Sequence, residues 1–335
     1  MRAYLDYNAS APLRPEAREA VVAALDIGGN PSSVHSEGRA ARAVVERARA
    51  QVARLAGCEA SEVVFTSGAT EAASVLSSFG GVAVQETAHD CLWAHRSEGP
   101  DGVLAWGHSS GETGIVCGVP EGHAGPLLLD VTQSVGRVPF CFAESGADYA
   151  VLSSHKIGGP RGVGALIVHE GFEAHLQRGG GQELGRRSGT ENVAGIAGFG
   201  AAADVARAEL EAGAWDEVAD LRDWTEAALE EASPMSISVG KGEARLPNTI
   251  CFATPGWRGE TQVIQMDLAG YAVSAGSACS SGKVAESRVL KAMGLGGLAG
   301  CAVRISLGPR NTKDEVAGFV AAWKKALDRR EARAA

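Results

Sequence analysis

The sequence predicts an α/β protein, with a mainly parallel sheet covered by helices on both faces and a smaller α+β domain after it. Short apolar runs such as "GPLLLD", bounded by Gly or Pro, have the length of buried strands rather than of helices. Helical patterns such as "PEAREAVVAAL" alternate with these runs, as they do where helices connect parallel strands. The 335 residues, of which 45% are hydrophobic and 21% charged, are enough for about two globular domains.

The N-terminal half alternates helices and strands throughout. Helices are predicted over "PEAREAVVAAL", "GRAARAVVERARAQVARLAG" and "GATEAASVLSS", and the second ends at Gly57 because glycine is the usual residue after a helix. Two long helices follow between about Gly189 and Ala232. Strands are predicted over "EVVFTS", "GVAVQE", "GVLAW", "GPLLLD", "DYAVLSS" and "VGALIVHE", and in the smaller domain over "SISVG", "NTICFAT", "YAVSAG" and "CAVRISLG".

The charge of the chain excludes some classes of function. The net charge is −9 and the sequence pI about 5.5, so there is no basic field to attract nucleic acid or an acidic membrane surface. The N-terminus, "MRAYLDYNAS", lacks the apolar region of a signal peptide, and no apolar run is long enough to span a bilayer. We therefore predict a cytoplasmic protein that binds neither nucleic acid nor membranes directly.

The cysteines predict reduced thiols and no metal site. No two of the seven form a C-x-x-C pair, and an odd number without an export signal argues against disulfides. Cys251 and Cys301 lie in strand-like runs and are predicted to be core residues. Cys279 differs, because "VSAGSACSSG" surrounds it with small, flexible residues that favour an exposed loop. This local pattern leaves a reactive thiol and an ordinary loop thiol both open.

Polar residues follow two neighbouring predicted strands. Asp130 ends "GPLLLD" with Gln133 just beyond, and "DYAVLSS" runs into Ser153, His155 and Lys156. The carboxyl ends of parallel strands meet at one edge of a sheet, so these side chains should converge. A lysine in such a crevice is suited to forming a Schiff base, and an acid beside it can hold a pyridinium N–H. A plain Asp–Lys ion pair is the alternative.

The segment "VVFTSGATEAA" reads as strand, turn and helix. Backbone N–H groups at such a helix start, with the hydroxyl of Thr70, can hold a phosphate, although an ordinary N-cap gives the same pattern. Together with Asp130 and Lys156, this segment supplies the parts of a pyridoxal phosphate site. A competing motif, "GHSSG" at 107–111, precedes Asp130 and His155 in the order of an α/β-hydrolase triad, but the "ETGIVCGVP" that follows does not read as the helix such a nucleophile needs.

Eight blocks of the sequence, in order, resemble the signatures of the cysteine desulfurases, which are fold-type-I pyridoxal phosphate enzymes of the aminotransferase class-V group. The blocks cover nearly the whole chain. They imply a large cofactor-binding domain over residues 13–235 and a small domain over 1–12 and 236–335 that carries the cysteine loop. The blocks are "YLDYNASAP", "NPSSVHSEGRAA", "FTSGATEA", "DVTQSVG", "SSHKIGGPRGVGALIV", "GGGQELGRRSGTENV", "SAGSACSSG" and "VRISLG".

The resemblance implies a role for each matching residue. The catalytic residues would be Lys156, which carries the cofactor, Cys279, which receives sulfur, and His89, which stacks on the cofactor ring. The remaining residues would bind the cofactor or the substrate. Asp130 would contact the pyridinium nitrogen, Gln133 would contact the ring hydroxyl, and Arg304 would bind the substrate carboxylate. The phosphate would be bound by Thr70, Ser153 and His155, and in a homodimer Thr190 would bind the phosphate of the partner subunit.

The implied reaction converts L-cysteine to L-alanine, leaves a persulfide on Cys279 and passes its sulfur to an acceptor protein, for example in iron–sulfur cluster assembly. A class-V aminotransferase, a selenocysteine lyase and a degenerate desulfurase acting as a binding protein are the alternatives. Two departures from the family pattern bear on this choice. Gly111 stands where the family usually has Asn, and the stretch from His89 to Gly111 is shorter, as if a strand and a helix were missing.

Overall fold

The computed structural model describes residues 2–100, 102–120, 122–123, 125–276 and 286–334. Cys279 lies outside these ranges. The backbone groups into two compact units. We call Ser10–Ser109 with Cys117–Ala212 the sheet unit, and Met1–Ala9, Ser110–Val116 and Gly213–Ala335 the terminal unit. The domain bounds of 13–235, with 1–12 and 236–335, stay a prediction.

The sheet unit is built on one six-stranded sheet. Its order is β2-β7-β6-β5-β4-β3, and β3 to β6 pair in parallel while β7 runs antiparallel to both of its neighbours. The sheet is therefore mainly parallel, as predicted. The strands are β2 (Val63–Thr66), β3 (Gly81–Val84), β4 (Gly102–Gly107), β5 (Leu127–Asp130), β6 (Tyr149–Ser153) and β7 (Gly164–Val168).

Both faces of this sheet are buried, which explains why its central strands are continuous apolar runs. Side chains alternate between the faces, so the run Leu127–Leu129 contributes to two separate cores. One core contains Phe65, Leu127, Leu129, Leu152 and Ile167, and the other contains Val64, Val103, Leu128, Val151 and Leu166.

Helices cover the sheet as the alternating pattern predicted. The helix α2 begins at a His35 side chain that accepts from the Gly38 N–H, and it ends at Gly57 in the left-handed conformation (φ 68°), which confirms the predicted C-cap. Helix α5 packs against α1 and α2. The helices of this unit are α1 (Pro15–Leu25), α2 (Ser36–Ala56), α3 (Ala69–Ala72), α4 (Asp90–Trp93) and α5 (Val193–Glu211).

Two sequence expectations change in detail, and a third is confirmed. The helix predicted over "GATEAASVLSS" is α-helical only at Ala69–Ala72 and continues as a 3-10 helix over Ala73–Ser78. The Ser78 hydroxyl donates to the Val75 carbonyl (2.7 Å), a local bond that competes with α-helical pairing. Cys251 is buried as predicted, but Cys301 is only partly buried because it precedes its strand in a turn. The segment after "GHSSG" forms turns and a β-bridge rather than a helix, which removes the hydrolase reading.

The terminal unit contains a four-stranded sheet of order β11-β12-β9-β8, all antiparallel, and a short parallel pair of β1 and β10. Segment 110–116 belongs to this unit, where the Leu246 N–H donates to the Gly114 carbonyl (2.7 Å). Among the described residues, no helix is both long and apolar enough to cross a membrane. The elements are β1 (Ala3–Tyr4), α6 (Ala214–Ala232), β8 (Ile237–Ser238), β9 (Thr249–Ala253), α7 (Gly259–Leu268), β10 (Tyr271–Ala272), β11 (Ser274–Ala275), α8 (Arg288–Ala292), β12 (Ala302–Ser306) and α9 (Lys313–Ala334).

Candidate active site

The predicted cluster of polar residues lies at the carboxyl ends of two neighbouring parallel strands. Asp130 is the last residue of β5 and pairs in register with Val151 of β6. Ser153 ends β6, and a 3-10 turn over Ser154–Lys156 follows at once. This edge is where ligands bind in open α/β sheets.

The backbone around Lys156 is held by two arginines. The Lys156 carbonyl accepts a hydrogen bond from Arg137 Nη2 (3.0 Å), and the next carbonyl, of Ile157, accepts from Arg14 Nε (2.7 Å). Arg14 is itself fixed by a bidentate ion pair with Glu209 (2.6 Å to each oxygen). The backbone of this turn is therefore held from two sides, and Lys156 itself is half-buried.

Arg137 also orients Gln133. Arg137 is 3% exposed and donates from Nη1 to Gln133 Oε1 (2.8 Å). Because that oxygen accepts from the arginine, the amide nitrogen is the end of Gln133 that faces away from Arg137. Sequence reasoning missed Arg137, which lies in the long connection between β5 and β6, because its burial and its two partners are evident only in the fold.

We predict that Arg137→Met lowers the free energy of unfolding by about 1.5–3 kcal/mol, because the Gln133 side-chain oxygen and the Lys156 carbonyl, both partly buried, lose a charged donor. The measurement is urea unfolding of the cofactor-free protein. Arg161→Met is the matched control, since Arg161 is an exposed arginine on the loop before β7. Equal losses of unfolding free energy in the two variants would show that the two hydrogen bonds of Arg137 contribute nothing beyond its charge.

Asp130 is nearly buried, with 9% of its surface exposed. Its Oδ1 accepts from the Thr132 N–H (3.0 Å), and the Cys91 thiol donates to its Oδ2 at 4.0 Å, a long contact that sulfur permits. A buried carboxylate at a strand end can hold a cationic ring nitrogen.

His89 and Cys91 lie beside Asp130. His89 caps the start of α4, accepting the Cys91 backbone N–H at Nδ1 (3.2 Å), and its ring is exposed. Burial raises the pKa of the Cys91 thiol, a hydrogen bond with the His89 side chain lowers it in part, and the Asp130 carboxylate raises it. The sequence predicted His89 and Asp130 as site residues, whereas the contact of Cys91 with Asp130 depends on the packing of α4 against the sheet.

The start of α3 approaches the end of β6 closely. A Cβ on Gly164 would lie 2.6 Å from the Cα of Gly68, so only glycine in β7 lets the turn before α3 reach this edge. A Cβ on Gly68 would lie 3.7 Å from the Ser153 hydroxyl, so a small space separates this turn from the end of β6, and Thr70 in the first turn of α3 is exposed. First-turn N–H groups have no intrahelical acceptor. This glycine-lined space between donors fits a phosphate.

His155 is neutral in the sheet unit. Burial, together with the positive charges of Lys156, Arg161 and Arg137, lowers its pKa to about 4. One ring nitrogen lies 3.3 Å from the Ser10 hydroxyl. A neutral imidazole carries one N–H, so His155 can serve as a hydrogen-bond donor to an anion at this edge.

The pKa of His155 predicts how stability depends on pH. An unfolded histidine binds its proton near pH 6.5, whereas folded His155 binds one only near pH 4. Between these values the unfolded chain holds more protons, so the free energy of unfolding falls as the pH falls. His155→Gln should flatten this dependence in the cofactor-free protein, and His175→Gln, at an exposed histidine, should not. Parallel pH profiles for wild type and His155→Gln would contradict the assignment.

Thr190 lies at the surface of the sheet unit, on a loop with firm anchors. Glu183, in the left-handed region (φ 49°), buries its carboxylate against Arg49 (2.7 Å to each oxygen) and the Phe65 N–H (2.9 Å). Arg187 pairs with Glu71 of α3 (2.8 Å), which ties the loop to the helix that begins beside Thr70. Thr190 is thus presented outward from a fixed loop.

Arg304 lies on β12 of the terminal unit and is 7% exposed. Its Nη2 pairs with Asp6 Oδ1 (2.8 Å) and its Nη1 donates to the Gly111 carbonyl (3.1 Å). Asp6 Oδ2 accepts from the Ser274 hydroxyl (2.7 Å), and the Gly111 carbonyl also accepts from Asn8 Nδ2 (3.1 Å). The guanidinium is therefore oriented from two sides. Asp6, which the sequence analysis assigned no role, belongs to this arrangement.

Glu112 lies directly against Gly276, the last described residue before the predicted cysteine loop. A Cβ at Gly276 would overlap the Glu112 carboxylate. A side chain at 276 would therefore displace the Glu112 carboxylate from its present position.

Three comparisons with known proteins agree. The aminotransferase class-V family matches residues 3–89 and 101–319. A cysteine desulfurase of Cereibacter sphaeroides is 37% identical over 366 residues, covering 94% of this chain and 93% of that protein, and one of Frankia sp. is 35% identical, covering 93% and 88%. The solved structure of a NifS-like protein from Rickettsia africae has a TM-score of 0.89 at 28% identity and covers 98% of this chain and 100% of that one.

Proposed function

We propose, from the premise that this chain belongs to the cysteine desulfurases of the aminotransferase class-V family, that it converts L-cysteine to L-alanine and takes the sulfur onto Cys279. The observation that carries the proposal is that Asp130 ends β5 while Lys156 lies in the turn directly after β6, the neighbouring parallel strand. The donor set of this cluster fits pyridoxal 5'-phosphate, because it offers an acid for a ring nitrogen and donors for a phosphate at the same edge.

The chain's own residues would hold the cofactor at its two ends. Asp130 would bind the ring N–H, because a buried carboxylate keeps such a nitrogen protonated. At the other end, the phosphate would accept from the hydroxyls of Thr70 and Ser153 and from the neutral imidazole of His155. When bound, pyridoxal phosphate supplies an electron sink for bonds at the substrate Cα.

The ring would be held between His89 and the sheet edge. His89 would stack on one face, with its side chain set by its bond to the start of α4. Gln133 would donate its amide N–H to the ring oxygen, in the orientation that Arg137 imposes. Arg137 is a positioning residue in this scheme, since it acts through Gln133 and the Lys156 backbone.

Lys156 and Arg304 would act on the substrate. Lys156 Nζ would remove the proton from the substrate Cα, as a general base held on a fixed backbone. Arg304 would bind the substrate carboxylate with its guanidinium. Asp6 holds one edge of that guanidinium and so positions it.

Cys279 would receive the sulfur. Its thiolate attacks the substrate sulfur, a new S–S bond forms, and the carbon–sulfur bond breaks. The electron pair of the broken bond stays with the substrate, which gains protons and leaves as alanine. A Gly/Ser-rich stretch, "GSACSSG", suits a cysteine that must take sulfur at one position and donate it at another.

We further propose a homodimer, a sulfur-acceptor protein as partner and a cytoplasmic location. Supporting the dimer, Thr190 is exposed on an anchored loop from which it could reach the phosphate of a second subunit. Iron–sulfur cluster assembly is one destination for the sulfur.

Incubation with L-cysteine tests the function. Alanine and persulfide sulfur should appear in equal amounts when a thiol is present to release the sulfur. A class-V aminotransferase would instead release a keto acid, and a selenocysteine lyase would prefer selenocysteine. Absence of turnover with retained cofactor would favour the degenerate desulfurase.

Gly111 gives a prediction about substrate affinity. Its carbonyl is used by Asn8 and Arg304, and the nearby Ser110 hydroxyl already accepts the N–H of Thr113 (3.1 Å). An asparagine side chain would add donors beside the carboxylate, so Gly111→Asn should strengthen apparent cysteine binding by about tenfold, the value of one hydrogen bond to a charged group.

The control for this prediction is Gly118→Asn, where an added Cβ meets no atom within 4 Å. The measurement is the KM for cysteine together with cofactor content. If Gly111→Asn keeps its cofactor but binds cysteine no better, the carboxylate is held in another way.

A further inference from the structure

We propose that His89, Cys91 and Asp130 form a binding site for a zinc-like divalent cation in the cofactor-free protein, and that this cation competes with the cofactor. The inference rests on the proposed function for its second half, because His89 and Asp130 are also the residues proposed to hold the cofactor ring. The claim that a cation binds in the cofactor-free protein rests on the three side chains alone.

The geometry brings three different ligand types together. One ligand atom each from His89, Cys91 and Asp130 lies within 4.8 Å of the other two, and within the described chain no other such group of three occurs. Tetrahedral zinc needs its ligand atoms about 3.3–3.7 Å apart, given its usual bond lengths. The three side chains must therefore close by about 1 Å. His89 is exposed, so its ring can turn toward the other two ligands at the expense of the hydrogen bond that its Nδ1 accepts from the Cys91 N–H.

The ligand chemistry selects the kind of cation. Imidazole nitrogen and thiolate sulfur suit zinc and cobalt, whereas magnesium and calcium prefer oxygen ligands only. Three protein ligands leave a fourth position for water. Binding displaces the Cys91 thiol proton to solvent, because a coordinating thiol is deprotonated by the cation.

Cys91 distinguishes the cation site from the cofactor site, because only the cation site uses it. Cys91 is 8% exposed and reaches Asp130 Oδ2 from α4, but no step of the proposed reaction uses its sulfur. Removing its thiol should therefore weaken cation binding while leaving cofactor binding nearly unchanged. His89 and Asp130 cannot make this distinction, since both sites use them.

The experiment uses the full chain, stripped of cofactor, with Cys279→Ser in every sample so that the loop thiol cannot supply the signal. Cobalt(II) is the probe, because a thiolate ligand gives it an ultraviolet charge-transfer band. Zinc affinity is then measured by displacement of cobalt. The variants are Cys91→Ala, the near-isosteric Cys91→Ser, and Cys141→Ser as the control at a thiol outside the group.

We expect one cobalt ion per chain with a thiolate band. The band should vanish in both Cys91 variants and persist in Cys141→Ser, and zinc affinity should fall at least about tenfold without the thiol. Pyridoxal phosphate should weaken zinc binding, and zinc should weaken cofactor binding by the same factor, as linkage requires.

Two results would overturn the proposal. A thiolate band that survives in both Cys91 variants would place the cation elsewhere, and cofactor-loaded protein that takes up zinc as tightly as stripped protein would remove the competition. The proposed function fails by a different result. A chain that binds cobalt through Cys91 but never takes up pyridoxal phosphate would keep the cation site and refute the desulfurase.

Discussion

Replacing Lys156 with alanine is expected to reduce alanine production from L-cysteine by at least about a thousandfold, in the upper range of what a positioned general base contributes. The variant should also lose covalent attachment of the cofactor, because Lys156 is the amine that would carry it. The two measurements are the initial rate of alanine formation and the cofactor that remains on the chain after borohydride reduction and denaturation.

The variant should stay folded, which makes the result interpretable. The carbonyls of Lys156 and Ile157 accept hydrogen bonds from Arg137 and Arg14, and the substitution leaves both carbonyls in place. Lys324→Ala, at an exposed lysine of α9, is the matched control and should keep full activity. A wild-type protein that stays colourless when pyridoxal phosphate is added would refute the whole assignment.

Replacing Cys279 with serine is expected to separate cofactor chemistry from sulfur transfer. The variant should bind pyridoxal phosphate and still respond to L-cysteine with a change in its visible spectrum, because Lys156 acts before the thiol does. Alanine formation should fall to the level of a protein-free control, since a serine hydroxyl does not form a stable bond to the substrate sulfur. Single-turnover assays with mass spectrometry of the chain measure both outcomes.

Two other cysteines provide controls for this prediction. Burial raises the pKa of the Cys58 thiol, which favours its protonated form, and the Cys141 thiol donates to the Gly57 carbonyl (3.5 Å), so both thiols lie in contacts outside the candidate site. Cys58→Ser and Cys141→Ser should therefore retain desulfuration. Full alanine production by Cys279→Ser would instead indicate a lyase, in which no thiol receives the sulfur.

The candidate site could be predicted in part because its residues follow strands that the sequence makes recognisable. Asp130 ends one apolar run and Lys156 follows shortly after another, and the rule that parallel strands end at one edge brings them together without coordinates. The roles of Thr190 and Arg304 came from the resemblance to a family, since neither follows a local pattern that indicates its chemistry. Arg137, Cys91 and Asp6 were missed because each matters only through a partner distant in the chain.

The sequence by itself determined the order of strands and helices, the end of α2 at Gly57 and the residue types at the strand ends. These features depend on local properties: apolar periodicity, the freedom of glycine, and the motif blocks. The tertiary structure alone decided that β7 runs antiparallel between β2 and β6, that Gly164 lets the turn at Gly68 approach, and that Cys91 contacts Asp130. These depend on packing between segments far apart in sequence, where the fit of specific surfaces, rather than any local preference, sets the lowest free energy.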